Sequence, residues 1–513
     1  VSRGIDRRRA LWLALGIGML IAPAPWGPVL LGVLLAGRVG GLVLRQVRPR
    51  LHRTPPGAAH LGRDAAGRAV ALSDAQLGAH ALIVGASGAG KSTTLQTILA
   101  DRIARGHPVV VIDMKGSPSF ARSLALSAHA ADRRLRIWTP EGPTHWNPLA
   151  HGGPTALKDR LISAERFSEP HYQRAAERYL QTALQVLAAH APDRAPHLSE
   201  VVAMMEPGRL RASARSVPGP LAERVEGYLQ GLTPDQLSAA RGLGTRLALL
   251  SESDAGRWLE PGRDGGPTLD VGEALMGGDV VLFSINSSIY GALGAQIGAL
   301  AIQDLTSAAG RRLAGQGAAV DVSAAATGRT RPPAPATVAL DEFSALGADN
   351  LLALLARGRE SGVGVLLATQ ELADLERAGR GFRDQVLGIT AVTLAHRQEV
   401  HESALAISRM AGTHRVWRET QTIPAGLLSY SRAPASRGSR REQEEPVVHP
   451  NTIKRLSTGE LVLLSGVPRP TVATVRVEAP TPAGRSRVPG RRARAREARA
   501  RDAGPRDGEA RER

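Results

Sequence analysis

Cysteine is absent from the 513 residues of this chain, and aromatic side chains make up only 3% of them. Without cysteine there is no disulfide framework and no thiolate metal site, which fits a reducing compartment. Scarce aromatics argue against the stacking platforms on which single-strand-binding proteins hold bases. Any nucleic-acid contact is then expected to run through phosphates and to ignore base sequence. Positive charge, in contrast, abounds, at a net +18. Its placement matters more than its size. Residues 1–50 carry eight Arg against one Asp, and 485–513 carry eleven Arg against five acidic residues, so thirteen of the eighteen charges sit at the two ends. The middle is only mildly basic, and total charge says little about nucleic-acid binding by a core.

A stretch without charge runs from Leu11 to Gly37, enough to cross a bilayer, for which a helix needs about 20 residues. Pro23, Pro25 and Pro28 divide it, with Arg7 to Arg9 before and Arg45, Arg48 and Arg50 after. Positive charge keeps to the cytoplasm. Residues 1–50 are therefore read as a membrane anchor, a hairpin with "APAPWGP" as its outer turn. A single tilted span is the rival.

From about residue 80 short apolar runs alternate with helical patterns: "ALIVG", then a helix from Ser92, then "PVVVIDMKG", then "LRIWTP". Such alternation predicts an α/β fold with a parallel sheet covered by helices. Residues 151–268 lose the strand signal and show apolar residues at helical spacing, which predicts an inserted all-α domain. Strand signals return with "GDVVLFSI", and the second part of the sheet domain is expected over 269–480, the first part being 51–150. Residues 314–336 are rich in Ala, Gly and Pro and read as a disordered loop. Residues 481–513 read as a disordered Arg-rich tail.

Gly85-Ala86-Ser87-Gly88-Ala89-Gly90-Lys91-Ser92, followed by Thr93, matches the phosphate-loop pattern between a predicted strand and a predicted helix. Its glycines would let backbone N–H groups approach phosphates, Lys91 would meet the β and γ oxygens of ATP, and the Ser92 hydroxyl would ligate Mg²⁺. Such a loop needs an acidic element on a neighbouring strand. "TVAL" ends in Asp341-Glu342, where Asp341 would hold Mg²⁺ and Glu342 would deprotonate the attacking water, giving hydrolysis rather than kinase chemistry. Gln370, closing "VLLATQ", would contact the γ-phosphate and that water. Arg357 and Arg359 either supply a charge across a subunit boundary or simply close a helix in solvent. Asp113 and Lys115 stand at the ligand-binding edge of the sheet, or form an ion pair there. "WNPL" (146–149) reads as a turn. His145 and His151 have no ligand-like partners, and no metal beyond Mg²⁺ is expected. No LSGGQ-like signature is present, which argues against an ABC-type transporter.

Taken in order, "LIVGASGAGKST", "VVVIDMKG", "WNPL", the helical insertion, "GDVVLFSI", "VALDEFSALG", "LLARGRESGVGVLLATQ" and "ESALAISRMAGT" resemble the type IV coupling proteins of bacterial conjugation (TraG/TraD-like), within the FtsK/HerA class of DNA-pumping ATPases. The resemblance covers about 75–480. It implies a P-loop RecA-like motor domain, a homohexameric ring in the cytoplasm anchored in the inner membrane, and ATP hydrolysis that passes DNA, read as single-stranded, to a type IV secretion channel. A relaxase-type nucleoprotein is the implied cargo. Lys91, Ser92, Asp341, Glu342 and Gln370 map onto the family's ATP site, and Arg359 onto the arginine reaching into a neighbour's site, with Arg357 in reserve. The short hairpin and the loop at 314–336 depart from the family pattern. The alternatives are a double-stranded-DNA pump of the FtsK type, effector export without DNA, and a non-hydrolysing membrane scaffold.

Overall fold

The strands Ala81–Val84, Val109–Asp113, Ala336–Asp341, Val363–Thr369 and Val392–His396 are buried at every residue, the pattern that a parallel sheet covered on both faces requires. A computed structural model describes residues 57–165, 167, 169–261, 265–318, 334–421 and 438–480. The anchor expected over 1–50, the greater part of the low-complexity loop and the tail after 480 lie outside the described residues. Among the described residues no helix is long and apolar enough to cross a membrane. Chain contacts separate a large unit, Thr54–Ala65 with Val70–Arg513, from a second, Val1–Arg53 with Ala66–Ala69, of which only 66–69 is described.

Eleven strands form one sheet: β1 (Ala58–Asp64), β2 (Ala69–Ser73), β3 (Ala81–Val84), β4 (Val109–Asp113), β5 (Leu135–Trp138), β6 (Val280–Ser284), β7 (Ala336–Asp341), β8 (Val363–Thr369), β9 (Val392–His396), β10 (Glu460–Ser465) and β11 (Thr471–Val477). Their order is β2-β1-β11-β10-β9-β3-β8-β7-β4-β6-β5. The strands from β9 to β5 are parallel, and β10, β11 and β1 extend them antiparallel. Alternate side chains feed two cores, Leu82, Val84, Val110 and Ile112 on one face, Ala81, Ile83, Val109 and Val111 on the other. Helices Lys91–Ala104 and Pro118–Ala130 cover the second face through Leu95, Ile98, Leu99, Phe120 and Leu124. Helices Ser287–Ala318 and Ala348–Gly358 cover the first. The first of these carries helix to Ala318, so helix replaces loop at the start of the expected low-complexity segment.

Between the sheet strands β5 and β6 the long secondary-structure elements are helices: Pro154–Ser163, Pro170–His190, Leu198–Met204, Pro207–Arg215, Leu221–Gln230 and Pro234–Ser251. Four of them carry proline in the first turn, where its missing N–H costs no hydrogen bond. The two ends of this segment meet, because His145–Trp146 pairs in parallel with Thr268–Leu269. The "WNPL" turn is more than a turn. Trp146 is buried, packs edge-on against Trp138 and Phe283, and donates to Asp304 Oδ2 at 3.1 Å. Arg160 of the first helix lies 3.5 Å from Asp304 and donates to the carbonyls of Pro148 and His151. A buried ion pair thus fastens the helical segment to helix Ser287–Ala318. Residues Thr413–Gln421 and Gly438–Pro446 form a separate antiparallel ribbon, absent from the sequence-based expectation.

Two histidines pin strand ends. His80 accepts from Val365 N–H at 3.0 Å through Nδ1 and donates to the Leu355 carbonyl at 2.9 Å through Nε2. His396 donates through Nδ1 to Glu460 O at 3.0 Å and accepts from Thr94 Oγ1 at 2.9 Å. Each uses one donor and one acceptor, so each is neutral. Burial holds both pKa values down at about 4, against 6.5 for a free imidazole. The unfolded chain therefore takes up these protons first. Stability should be flat above about pH 7 and fall as pH drops from about 6.5 towards about 4, each histidine contributing up to about 3 kcal/mol. Urea midpoints measured from about pH 7.5 to about pH 5, above the ordinary carboxylate range, check this; an unchanged midpoint would contradict it.

Candidate nucleotide site

Strand β3 leads into the glycine-rich loop, and helix Lys91–Ala104 leads out of it. The helix opens on Gly90 at φ +112° and carries no acidic residue in its first turn. Its unpaired N–H groups and positive dipole end therefore face the loop with no side chain opposing an anion. Ser87 and Gly88 are exposed at the tip, while Ser92 and Thr93 are half-buried. The Lys91 ammonium folds back onto the loop's own carbonyls, Gly85 O at 2.5 Å and Ala86 O at 3.1 Å.

The loop is held from outside by segments remote in sequence. Gly85 N–H donates to Thr369 O at 3.3 Å and Ala86 N–H to Arg397 O at 2.9 Å. Gly459 N–H donates to Ala89 O at 2.9 Å, and Thr458 Oγ1 to Gly88 O at 3.3 Å. A Cβ on Gly85 would stand 2.5 Å from the Cβ of His396, and one on Gly90 would stand 3.0 Å from Gly459 N. Sequence reasoning missed His396, Arg397, Thr458 and Gly459. Only His396, a polar residue closing a buried strand, left a signal there.

The acidic pair closes β7. The expectation of a neighbouring strand is corrected: β8 lies between β3 and β7, because β8 pairs with both. The register sets Val84 beside Thr369, Ala368 beside Asp341, and Asp341 beside Asp113. All the chemistry thus sits at the carboxyl ends of parallel strands, the edge where such sheets bind ligands. Asp341 is 3% exposed. Glu342 takes the left-handed conformation, φ 61° and ψ 48°, which turns the chain off the strand. Gln370 Nε2 donates to Glu342 Oε1 at 2.6 Å. Lys115 Nζ lies 2.9 Å from Glu342 Oε2 and 3.8 Å from Asp341 Oδ1. Asp113 instead accepts from the backbone N–H groups of Lys115 at 3.0 Å and Ser117 at 2.8 Å. The ion pair at this edge therefore joins Lys115 to the acidic pair, and Asp113 shapes the turn that carries Lys115.

Electrostatics show how close these groups are. Burial pushes the Lys91 ammonium below its ordinary pKa, Lys115 pushes the same way, and Glu342, Asp341 and Asp374 pull it up. Burial raises the Asp341 carboxyl, with Asp113 and Glu342 adding to the rise and Lys115 and Lys91 opposing it. Lys115 ends above its ordinary value because Asp341, Glu342 and Asp113 together outweigh its burial. Asp341 Oδ1 is buried and has no hydrogen-bond partner among the described residues. A buried carboxylate oxygen left open beside a phosphate loop fits a hydrated Mg²⁺, a hard cation that takes oxygen ligands and keeps several waters.

Arg357 and Arg359 are exposed and precede β8, whereas Gln370 follows it. The length of that strand sets them about 20 Å from the acidic pair. Neither forms a side-chain ion pair among the described residues. His145 donates through Nδ1 to Glu260 O at 2.9 Å, and His151 meets Asp270 Oδ2 at 2.5 Å, so His151 has a carboxylate partner after all.

A strand, a glycine-rich loop, a Lys-Ser helix start and an acidic strand end on one sheet edge define a P-loop fold of the nucleoside-triphosphate-binding kind. Residues 335–458 match the TraG-D C-terminal family, described as the TraM recognition site of TraD and TraG. Residues 43–121 match the FtsK/SpoIIIE family. Among curated proteins none matches. Solved structures share the fold. The conjugative coupling protein TrwBdeltaN70 in its unbound monoclinic form is 15% identical with a TM-score of 0.57, over 86% of this chain and 92% of that one. TrwB in complex with ADP and Mg²⁺ is 16% identical with a TM-score of 0.54, over 85% and 92%. VirB4 of Thermoanaerobacter pseudethanolicus is 14% identical with a TM-score of 0.51, over 84% and 98%. The two family matches bear out the resemblance to the type IV coupling proteins of the FtsK/HerA class.

Gly90 gives the first test. An alanine there would hold φ +112° against its own sterics and press on the Gly459 backbone. Gly90→Ala should lower stability by about 1–3 kcal/mol and weaken nucleotide binding with it. Thermal unfolding with and without ADP checks both; a variant as stable as the parent would show that the clamp yields.

Proposed function

We propose that this chain is an ATP-hydrolysing motor, anchored in the inner membrane, that couples DNA or a nucleoprotein to a type IV secretion or conjugation channel. The observation that carries the reading is the joining of Glu342 to both Gln370 and Lys115 on the sheet edge that carries the phosphate loop. In this reading the loop from Gly85 to Thr93 binds ATP. Lys91 leaves its own carbonyls for the β and γ oxygens. Ser92 and Asp341 hold Mg²⁺, which supplies charge neutralisation for the phosphates. Glu342 takes a proton from the attacking water, and Gln370 orients that water. Arg359 is too far from its own acidic pair to serve it and acts on a neighbour in a homohexamer. The anchor is assigned to residues 1–50 on their charge pattern alone. The match to the family described as a TraM recognition site supports a nucleoprotein partner.

Purified protein tests the chemistry. Lys91→Ala should lose ATP binding. Glu342→Gln should keep ATP bound while turnover falls by about 10²–10⁴-fold, the range for loss of a general base. Wild-type turnover in Glu342→Gln would remove the base assignment. Mixing Arg359→Ala with Glu342→Gln subunits should restore part of the activity, since some interfaces then join an intact arginine to an intact glutamate. An active isolated monomer would end the ring proposal.

DNA contact is expected through phosphates, because the middle of the chain is mildly basic and poor in aromatics. DNA of random sequence should stimulate hydrolysis, and its affinity should fall steeply with salt as counterions are released. A form ending near residue 480 separates the Arg-rich tail from the ring. Loss of both binding and stimulation on removing the tail would make the tail the DNA element. The FtsK/SpoIIIE match favours a second reading, a double-stranded-DNA translocase. Stronger stimulation by duplex than by single strands would select it.

A further inference from the structure

Lys115 combines a fixed backbone with a half-exposed, ion-paired side chain. Its backbone is held on three sides. Asp113 takes the N–H groups of Lys115 and Ser117. Met114 N–H donates to Asp341 O at 3.2 Å, and Met114 O accepts from Ser287 N–H at 3.0 Å. Gly116, at φ +61°, leaves no room for a Cβ, which would stand 3.0 Å from Asn286. The Lys115 side chain, in contrast, is 37% exposed on a flexible four-carbon stem. Its ammonium stands between the two carboxylates, 2.9 Å from Glu342 Oε2 and 3.8 Å from Asp341 Oδ1. Gln370 holds the other oxygen of Glu342. One oxygen of the proposed base is thus hydrogen-bonded and the other, like Asp341 Oδ1, is buried without a hydrogen bond among the described residues and has the ammonium as its counter-ion.

We propose that Lys115 is a displaceable counter-ion that occupies the acidic pair until a divalent cation arrives with nucleotide, and that its departure frees Glu342 for the attacking water. The inference rests on the reading of Asp341 as a Mg²⁺-holding residue and of Glu342 as the base. The reason is charge. Asp341 is buried, so water screens it little, and two cations cannot share its open oxygen without strong repulsion. Lys115 and Mg²⁺ therefore compete. In the nucleotide-free state the ammonium offsets the repulsion between adjacent carboxylates and keeps the base occupied. Because the backbone of 113–117 is pinned, displacement is a side-chain swing and leaves the sheet edge in place. Lys115 is thus a positioning residue, acting through Glu342 and Asp341, and it would suppress turnover before a loaded site is complete.

Mg²⁺ titration of nucleotide binding tests this without relying on turnover. The full chain, Lys115→Met and Lys115→Arg are each mixed with a fluorescent ADP analogue, and Mg²⁺ is added until binding saturates. Lys115→Met keeps the length of the stem and removes the charge. It should reach half-saturation at about 3- to 10-fold lower Mg²⁺ than the parent, and Lys115→Arg should stay near the parent. Hydrolysis in the absence of DNA should rise in Lys115→Met by a similar factor. Thermal unfolding of each variant shows whether it is folded, and Lys115→Arg carries the comparison if Lys115→Met is not: a midpoint far below the parent in that variant would overturn the proposal. An unchanged or higher Mg²⁺ midpoint in folded Lys115→Met would overturn it too. So would weaker binding of an ATP analogue with ADP unaffected, which would assign Lys115 to the γ-phosphate. If the parent chain binds no nucleotide with Mg²⁺, the proposed function fails and this inference with it. Normal binding by the parent with an unshifted midpoint overturns the inference alone.

Discussion

The register of four parallel strands is the constraint on which the site depends. Val84, Thr369, Asp341 and Asp113 end β3, β8, β7 and β4 within one residue of a common line, Val84 beside Thr369 and Asp341 beside Ala368 and Asp113. Parallel strands present their carboxyl ends together, and hydrogen bonding fixes the spacing of those ends across the sheet. A phosphate-binding loop, an amide, an acidic pair and a lysine-bearing turn therefore arrive at one edge without any long loop having to reach. A slip by one residue in any of these pairings would turn the acidic side chain to the other face of the sheet. The burial of β7 and β8 on both faces does not by itself forbid such a slip. The helices packed on the two faces do, since alternate side chains of each strand are committed to two different cores.

The antiparallel extension has a part in the same site. Strand β10 begins at Glu460, directly after the turn that gives Gly459 N–H to Ala89 O and Thr458 to Gly88 O. Strand β9 ends in His396, which packs under Gly85 and ties Thr94 to the Glu460 carbonyl. The phosphate loop is thus clamped between the parallel and antiparallel parts of the sheet. The glycines of such a loop answer to two demands at once, the approach of phosphate on one side and, at Gly85 and Gly90, of His396 and Gly459 on the other. Neutral His396 suits that position, since a charged imidazole would add a second cation beside Lys91.

Much of this was legible where the signal is local. Buried parallel strands are continuous apolar runs, and "ALIV", "VVVID" and "VGVLLAT" could be read directly because both of their faces are covered. The phosphate loop and the adjacent Asp341 and Glu342 are likewise patterns of neighbours in sequence. Pairing order is not local, so β8 between β3 and β7 could not be seen, although it explains why Gln370 can reach Glu342. The "WNPL" turn gave no hint of its purpose because the partner of Trp146, Asp304, lies 158 residues away. Strands β1 and β11 mix buried and exposed residues and carry charge, and the ribbon strands Thr413–Gln421 and Gly438–Pro446 are rich in charged and polar residues. None of these offers the apolar run that identified the others.

The charge arrangement follows from burial. A phosphate site needs cations for the nucleotide and carboxylates for a metal and a base, all within a few ångströms of one another. Before nucleotide binds, those carboxylates have no metal to balance them, and Asp341 is too buried for water to do so. Two answers exist for a buried acid: protonation, towards which its raised pKa already leans, or a cation supplied by the protein. Lys115 supplies the second. Lys91 cannot, because its ammonium is held by Gly85 O and Ala86 O. The two lysines thus divide the work between the two halves of the site, one meeting the carbonyls of the loop and the other the carboxylates of the strand. Bound nucleotide with its metal would make both arrangements redundant at once, which would tie the arrival of nucleotide to a change at Glu342, two strands away from the loop.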